Sequence, residues 1–372
     1  MSAPLVSVVV PCFNAGPMLA PALESIVRQT HPALEIIFVD NGSTDASRAT
    51  ALGVLGAQER EYGIVDCPER GVNNARNAGY AHVRGDYVQW MDADDLMDAD
   101  KIARQVAALA AAPDFDIAYG DWTMRWRPPH YPPAEQRRTL SQAKDQIHRT
   151  LCGVWYPLHL YLLRRAAADR LEAVEAWAPG RKVGTDVEYS AIAALIGMKF
   201  LHVGGAHVVY NIWSKGQISG TTPYAERALS LEAVFARLRE FAASAPRGVS
   251  ITARHRRLLD QDWAILSLPR DSASIVRLES RRARLSHLTS GRAIELRPRE
   301  AAIAHAMLAS GKALTSCHWG LLLTETKPPV AEDPLDVVET VQKLQKAGFL
   351  VATETAPEDA REAPQPSPGP RR

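Results

Sequence analysis

The sequence has 372 residues, of which 46% are hydrophobic, and its formal net charge is +1. That length supplies one large hydrophobic core and a smaller second one, while the near-zero charge excludes a global field that would concentrate nucleic acid. No apolar run approaches the roughly 20 residues that span a bilayer, and residues 1–4 lack the basic start of a signal peptide, so we expect a cytoplasmic protein. The four cysteines lie far apart without CxxC spacing, which predicts buried, reduced thiols.

The first third of the chain alternates β-branched apolar runs with stretches of helical periodicity. The pattern predicts strands at residues 5–10, 34–39, 63–65, 87–91 and 115–119. Between them it predicts helices at residues 18–30, 45–58, 72–83 and 99–112. Strands separated by helices imply right-handed crossovers. We therefore expect an α/β fold with a mainly parallel sheet flanked by helices.

The middle of the chain is less regular. Residues 120–150 are rich in proline and mixed in charge, which predicts an irregular excursion over the surface. Order resumes near Trp155, and the pattern then predicts a helix over residues 185–196 and separate strands over 200–203 and 208–213.

From about residue 224 the chain becomes arginine-rich without obvious strands. Three short helices and a terminal strand are compatible with a winged-helix-like fold, at residues 301–313, 319–323, 335–347 and 348–352. The last stretch is rich in Pro, Glu, Ala and Ser and is expected to be disordered. The expected domains are a main domain, a smaller and mainly helical C-terminal module, and a tail, over residues 1–223, 224–353 and 354–372.

Two of the predicted strands run into acidic residues. Asp40 follows one strand, and Asp92-Ala93-Asp94-Asp95 follows another. Ligands of parallel α/β sheets bind beyond the carboxyl ends of the strands, and clustered carboxylates suit a hard divalent cation that carries phosphates. An aspartate after a strand also serves as a turn former or helix cap, so this alternative stays open for Asp40.

Four segments together carry a resemblance to a known family. They are VVVPCFN at 8–14, EIIFVDNGSTD at 35–45, GVNNARNAG at 71–79 and GDYVQWMDADD at 85–95. In this order and at this spacing, residues 5–219 resemble the inverting glycosyltransferases of family 2, which have the Rossmann-like GT-A nucleotide-sugar fold.

The resemblance implies a donor site for a nucleoside diphosphate sugar, usually a UDP-sugar. Residues after the first strand would line the nucleotide pocket, namely Pro11, Phe13 and Asn14. Asp40 would bind the base, with Ser43 and Thr44 beside it. Arg76 and Asn77 would approach the ribose and phosphates, although Arg76 is equally compatible with a surface arginine that pairs with Asp86.

The resemblance also implies a divalent cation, Mn²⁺ or Mg²⁺. Asp94 would coordinate it, and Asp92 would touch the metal or the ribose, in an Asp-x-Asp arrangement. The cation would act as the Lewis acid that stabilises the departing diphosphate. At the position where the family often carries a histidine, this chain has Trp213 or Ser214, which leaves a third metal ligand in doubt. Lys215 would contact the diphosphate.

An inverting transfer needs a base that deprotonates the acceptor. The family places an acidic residue at the start of a helix after the acceptor loop, and Asp186 occupies that place, with Glu188 as the fallback. The alternative is that Thr185 and Asp186 only cap the helix. For acceptor binding we expect the aromatic face of Trp155 and the ring of His159 to contribute, although such aromatic residues also serve as core.

These features predict a metal-dependent inverting glycosyltransferase that moves a sugar to a hydroxyl of a glycan, lipid-linked precursor, small molecule or peptide. The alternative is a catalytically silent nucleotide-sugar-binding scaffold whose C-terminal module binds a partner. Nucleic-acid binding is disfavoured because acidic residues are interspersed among the arginines of 254–299. The Gly-x-Gly-x-x-Gly of a dinucleotide-binding oxidoreductase is absent after the first strand. Peripheral docking at a membrane stays compatible with the sequence.

Overall fold

The computed structural model of the protein describes most of the first 260 residues and short stretches of the remainder. The described residues are 3–128, 133–151, 156–213, 224–260, 266–267, 277–279, 282–286, 293–297, 300, 302–304, 307, 339–344 and 351–352. The chain divides into two compact units. Unit 1 comprises residues 1–146, 155–221 and 241–249, and unit 2 comprises residues 147–154, 222–240 and 250–372.

Unit 1 is an α/β structure built on one large sheet. Its strands are β1 (Val6–Cys12), β2 (Leu34–Asp40), β3 (Glu61–Asp66), β4 (Tyr87–Trp90), β5 (Leu96–Met97), β6 (Ile117–Trp126), β7 (Ala134–Arg138), β8 (Leu162–Arg164) and β9 (Phe200–Ile212). The helices of the chain as far as residue 259 are α1 (Leu19–Val27), α2 (Ser47–Gly56), α3 (Val72–Tyr80), α4 (Lys101–Ala111), α5 (Gln146–Leu151), α6 (Arg165–Glu172), α7 (Thr185–Leu195), α8 (Tyr224–Ala243) and α9 (Ala253–Leu259).

The strand order is β3-β2-β1-β4-β8-β6-β9-β5, and β7 pairs with β6. The first four strands are parallel, as the strand–helix alternation predicts. Beyond them, β8 is antiparallel to both β4 and β6, and β5 is antiparallel to β9. The α/β class with flanking helices is confirmed, but the sheet is mixed because β8 reverses the strand direction in the middle.

The core lies around the parallel strands. Every residue of β1 and β2 is buried, which is typical of strands covered on both faces. Helix α3 packs closely on these strands through Gly79, where a Cβ atom would lie 2.5 Å from Cγ1 of Val9 and 2.8 Å from Cγ2 of Val39. The glycine therefore determines how near α3 approaches the sheet.

Two stretches differ from the sequence prediction. The excursion expected at residues 120–150 contains strand pairing, because β6 continues to Trp126 and pairs antiparallel with β7. The two strands expected at residues 200–203 and 208–213 form the single strand β9. Gly205 lies within β9 and has a φ of 80°. In the paired strand β6 the register shifts at Gly120, where a Cβ atom would lie 1.7 Å from the carbonyl oxygen of Ala206.

Unit 2 contains five strands among the residues that the structure describes, and the sequence analysis predicted only the last of them. The strands are β10 (Leu266–Ser267), β11 (Arg277–Glu279), β12 (Arg282–Ser286), β13 (Ala293–Leu296) and β14 (Val351–Ala352). β11, β12 and β13 form an antiparallel sheet, and β10 pairs with β14. The strands β11 to β13 were not predicted because arginines alternate with apolar residues there, and this period-2 pattern was interpreted only as charge. The terminal strand was predicted.

Several expectations fall outside the described residues, including the tail over residues 354–372 and the helix over 319–323. Cys12 and Cys67 are free and buried, as expected, whereas Cys152 and Cys317 are outside the described part. Within that part, no helix is both long and apolar enough to cross a membrane.

Candidate active site at the carboxyl ends of the parallel strands

The loops that follow β1 and β2 are joined by Asn14. Its side-chain Oδ1 accepts hydrogen bonds from the backbone N–H groups of Thr44 at 2.8 Å and Asp45 at 3.3 Å. Its own N–H donates to Oγ of Ser43 at 3.2 Å. Asn14 has a φ of 50°, a left-handed conformation that asparagine adopts more readily than most residues. The structure thus brings together three of the residues expected around the nucleotide.

Asp40 and Phe13 lie at the same edge. Asp40 is buried and accepts a hydrogen bond from the N–H of Ser43 at 2.8 Å, with Nη1 of Arg48 3.5 Å from its second oxygen, so its turn-forming role is present. Phe13 is 49% exposed, and the Arg70 guanidinium lies 3.9 Å above its ring centre. Pro11 is buried within β1. A flat, exposed cation–aromatic pair therefore borders this edge of the sheet.

Arg76 of α3 connects two of the predicted functional carboxylates. It is 3% exposed, and its Nη2 donates to Oδ1 of Asp92 at 3.1 Å. Its Nη1 lies 3.7 Å from Oδ1 of Asp186 and 3.4 Å from Oγ1 of Thr185. The guanidinium also lies 4.3 Å above the ring of Trp177. The alternative of a surface arginine paired with Asp86 is therefore wrong.

Asn77, expected at the ribose and phosphates, has a protein partner. Its Nδ2 donates to the carbonyl of Trp177 at 3.1 Å, and one turn earlier Nδ2 of Asn73 donates to the carbonyl of Ala178 at 2.8 Å. Both amides hold the segment before α7 against α3. The structure therefore gives Asn77 a positioning contact, and its expected contact with the donor stays a prediction.

Asp94 lies under Trp213. The indole Nε1–H donates to Oδ2 of Asp94 at 2.9 Å, and Nδ2 of Asn211 donates to the carbonyl of Asp94 at 2.7 Å. An indole N–H is a donor with no lone pair for a metal. Trp213, one of the two candidates for the family's histidine position, therefore contacts the acidic motif without being able to ligate a cation. Ser214 and Lys215 lie outside the described residues.

Asp95 and His159 form a buried group with Asp92. Both Asp95 and His159 are 0% exposed, and Nδ1 of His159 lies 3.4 Å from Oδ2 of Asp95 and 3.7 Å from Oδ2 of Asp92. The other oxygen of Asp95 accepts the N–H of Asn211 at 2.6 Å. A fully buried ring has no surface to offer an acceptor, so the predicted acceptor-binding role of His159 is corrected to a place behind the carboxylates. Trp155 lies outside the described residues.

Burial and neighbouring charges act differently on the two aspartates. Burial alone raises the pKa of Asp92, but the His159 ring and Arg76 outweigh it and lower the pKa to about 2. Burial, followed by the charges of Asp94 and Asp92, raises the pKa of Asp95 well above its ordinary value. Asp92 is therefore the more readily ionised carboxylate of this pair.

Asp186 lies in the first turn of α7. The helix begins after Gly184, which has a φ of 80°. The hydroxyl of Thr185 donates to Oδ1 of Asp186 at 3.1 Å. The N-cap of α7 is Gly184 without a side-chain cap hydrogen bond, so the alternative that Thr185 and Asp186 only cap the helix is not supported. Glu188, the fallback base, is 0% exposed and holds Arg181 at 2.9 and 3.2 Å through both oxygens. That buried ion pair leaves Asp186 as the better-placed carboxylate.

The carboxylates fit a divalent cation. Asp92, Asp95 and His159 each offer one ligand atom, and these atoms lie within 4.8 Å of one another. Oδ2 of Asp95 and both ring nitrogens of His159 have no hydrogen-bond partner among the described residues. Oxygen donors of this kind suit Mg²⁺ or Mn²⁺.

Sequence reasoning missed or undervalued Asp95 and Asn211. Asp95 precedes α4, and an acidic residue before a helix is also explained by the helix dipole, which gives no sign of burial. Asn211 lies in β9, and its contacts with Asp94 and Asp95 are long-range, so no local pattern points to it. The uninterrupted Asp94-Asp95 pair was the one signal in the sequence for the buried carboxylate.

Parts of the chain are similar to known glycosyltransferases. Residues 7–164 match the family described as Glycosyl transferase family 2. A PGL/p-HBAD biosynthesis glycosyltransferase of Mycobacterium tuberculosis is 35% identical over 127 residues, which cover 34% of this chain and 49% of that protein. Glycosyltransferase GlyG of Streptococcus pneumoniae is 31% identical over 118 residues, which cover 32% and 39%. The chain thus spans about half or less of the length of these relatives.

Among solved structures, S. aureus TarS 1–349 in complex with UDP is similar with a TM-score of 0.51 at 16% identity, covering 68% of this chain and 69% of that chain. The fold is that of a GT-A-type glycosyltransferase domain. Residues 7–164 match glycosyltransferase family 2, which supports the family predicted from the sequence, and the similarity to TarS supports the predicted fold class.

Proposed function

We propose that the chain is a metal-dependent inverting glycosyltransferase that transfers a sugar from a nucleoside diphosphate, with UDP as our expectation, to a hydroxyl acceptor. One observation carries the proposal. A single buried guanidinium, that of Arg76, contacts the donor-side carboxylate Asp92 and the proposed base Asp186. The groups that would hold the donor and activate the acceptor therefore lie on two sides of one side chain.

The proposed roles follow from the chemistry of these groups. Asp92 and Asp94 would hold the divalent cation, which when bound would neutralise charge on the departing diphosphate. Asp186 would accept the acceptor proton as the hydroxyl attacks. Phe13, Asn14, Asp40, Ser43 and Thr44 would border the nucleotide, because the loops after β1 and β2 meet there. The proposed acceptor is a hydroxyl group of a glycan, lipid-linked precursor, small molecule or peptide.

Release of the nucleoside diphosphate from a panel of UDP-, GDP- and dTDP-sugars with Mn²⁺ tests the proposal. UDP-GlcNAc belongs on the panel because TarS, whose fold is similar, was crystallised with it. We expect Asp94→Asn to lose cation-dependent release, while Asp186→Asn keeps nucleotide binding but lowers release about 100-fold or more, which is the range of general base catalysis.

Asp100→Asn is the matched control, because Asp100 follows the same acidic segment but pairs with Arg104 one turn into α4. Its release rate is expected to equal that of the wild type. Binding of nucleotide sugars without release in the wild type would favour the silent-scaffold alternative, and release that survives unchanged in Asp186→Asn would remove Asp186 as the base.

A further inference from the structure

We propose that His159 is a positioning residue that, from its place beside Asp95, fixes the carboxylate of Asp92 in the orientation that binds the cation. The inference rests on the proposed function, since it assigns a role within the same site. It concerns a residue that does not touch the donor itself, because its side chain is 0% exposed.

The first argument is the placement of the ring between two carboxylates. Nδ1 of His159 lies 3.4 Å from Oδ2 of Asp95 and 3.7 Å from Oδ2 of Asp92. Two carboxylate oxygens brought this close repel each other unless a donor or a cation lies between them. Nδ1 of His159 lies within ion-pair distance of both oxygens, so the ring occupies the space between the two side chains.

The second argument is that Asp92 is held from both sides. Oδ1 of Asp92 accepts a hydrogen bond from Nη2 of Arg76 at 3.1 Å, while Oδ2 faces His159. A carboxylate with a partner on each oxygen has its plane fixed. Groups behind a metal ligand orient it in this way, and their loss costs about 10- to 100-fold in metal affinity.

The third argument is the rigidity of the turn that carries the ring. His159 lies in the short 3-10 turn Leu158–Leu160, and its carbonyl accepts a hydrogen bond from Nε2 of Gln89 at 3.0 Å. Gln89 is a buried residue of β4, and its Oε1 contacts Nζ of the buried Lys101. The strand that ends just before Asp92 thus also holds the backbone of His159.

The experiment measures Mn²⁺ affinity directly, by electron paramagnetic resonance of free Mn²⁺, in three full-length variants. His159→Phe keeps a ring without a donor, and we expect its Mn²⁺ affinity to fall about 10- to 100-fold. His159→Asn places an amide N–H near the former Nδ1 position, and we expect it to recover most of the loss. His31→Phe is the control, because His31 is also buried but bonds the Pro4 carbonyl at the other end of β1.

If His159→Phe does not fold, as judged by circular dichroism, His159→Gln replaces it, because its amide reaches the Nε2 position instead of Nδ1, and the same loss is expected. Wild-type affinity in the folded variant overturns the inference. An equal loss in His159→Asn also overturns it, since the imidazole would then itself be a ligand. A wild type that binds neither Mn²⁺ nor UDP overturns the proposed function as well, so the two failures are distinguishable.

Discussion

At the scale of single residues, Arg76 is the side chain on which most of the site converges. It is buried, it contacts Asp92 and Asp186, and its planar face lies on Trp177. A planar guanidinium can serve two carboxylates and an aromatic ring at once, which a lysine ammonium cannot. The ring beneath it is itself fixed, since Trp177 stacks on Tyr189 at 4.0 Å.

We predict that Arg76→Met lowers the free energy of unfolding by about 3 to 5 kcal/mol, because it leaves two half-buried carboxylates without their buried partner. Arg76→Lys should lose less stability but still separate Asp92 from Asp186. Urea unfolding measures both. Arg48→Met is the control, since Arg48 is exposed and its nearer partner Asp66 is exposed too, and its change should be clearly smaller. An Arg76→Met protein as stable as the wild type would show that the bridge contributes nothing.

At the scale of elements, the seating of α3 on β1 and β2 decides where Arg76 lies. Gly79 permits this close approach, one turn along the same helix. Local helix propensity alone would favour alanine at that position. The packing against Val9 and Val39 overrides this preference.

Gly79→Ala should therefore destabilise the protein by about 1 to 3 kcal/mol, because the added methyl group overpacks the contact with Val9 and Val39. Gly53→Ala in α2 is the matched control. A Cβ there meets nothing within 4 Å, so we expect a gain of up to about 1 kcal/mol. Thermal and urea unfolding of the two variants give the comparison. Equal changes of the same sign would contradict the close-packing argument.

Glu35 joins three elements near the opposite ends of the strands. It is buried on β2, contacts Oγ of Ser7 on β1 and accepts from the backbone N–H of Arg84 at 2.8 Å and from its Nε at 2.7 Å. Burial opposes ionisation, but the bonds to Ser7 and Arg84 outweigh it and lower the pKa of Glu35 below its ordinary value of 4.5. The stabilisation is therefore present above the unfolded-state pKa and is lost as the pH falls through the folded-state value.

We predict that Glu35→Gln destabilises the protein by about 1.5 to 3 kcal/mol near neutral pH, which is the range for hydrogen bonds to a charged group. The difference from the wild type should shrink as the pH falls below the ordinary glutamate pKa, because the wild-type carboxyl then becomes protonated. Unfolding free energies measured across the acid range test this. A difference that does not depend on pH would show that the charge is not responsible.

At the scale of the whole molecule, the site is assembled from segments that are distant in sequence. Asp92 follows β4, His159 precedes β8, Asp186 begins α7 and Trp213 follows β9. A ligand that contacts several of these segments binds only the folded protein and stabilises all of unit 1. Binding of such a ligand therefore raises the free energy of unfolding.

We expect UDP and Mn²⁺ together to raise Tm by more than the sum of their separate effects, because each increases the affinity for the other through the diphosphate. At about 100 times Kd the stabilisation should be about 2.7 kcal/mol, and EDTA should remove it. Uridine, which lacks the diphosphate, is the control and should show no such synergy with Mn²⁺. Strictly additive shifts would argue against a cation shared between protein and diphosphate.

Much of unit 1 could be predicted from the sequence. Apolar period and helix spacing gave the parallel half of the sheet, and the order of the four motifs gave the family. The hairpin of β6 and β7 and the strands around residues 277–296 were not predicted, because proline and arginine there dominate the composition while the strand pairing depends on partners distant in sequence. Domain boundaries at residues 223 and 353 stay predictions.

By itself, the sequence determined that carboxylates gather at the carboxyl edge of an α/β sheet, since a strand's end and the residue after it are local properties. Only the tertiary structure decided which groups meet there. It buried His159 behind Asp92 and Asp95, placed Trp213 on Asp94 and brought Arg76 to Asp186. These contacts join segments about 60 to 120 residues apart along the chain. Their geometry is set by how helices and loops pack on the sheet, which no local pattern encodes.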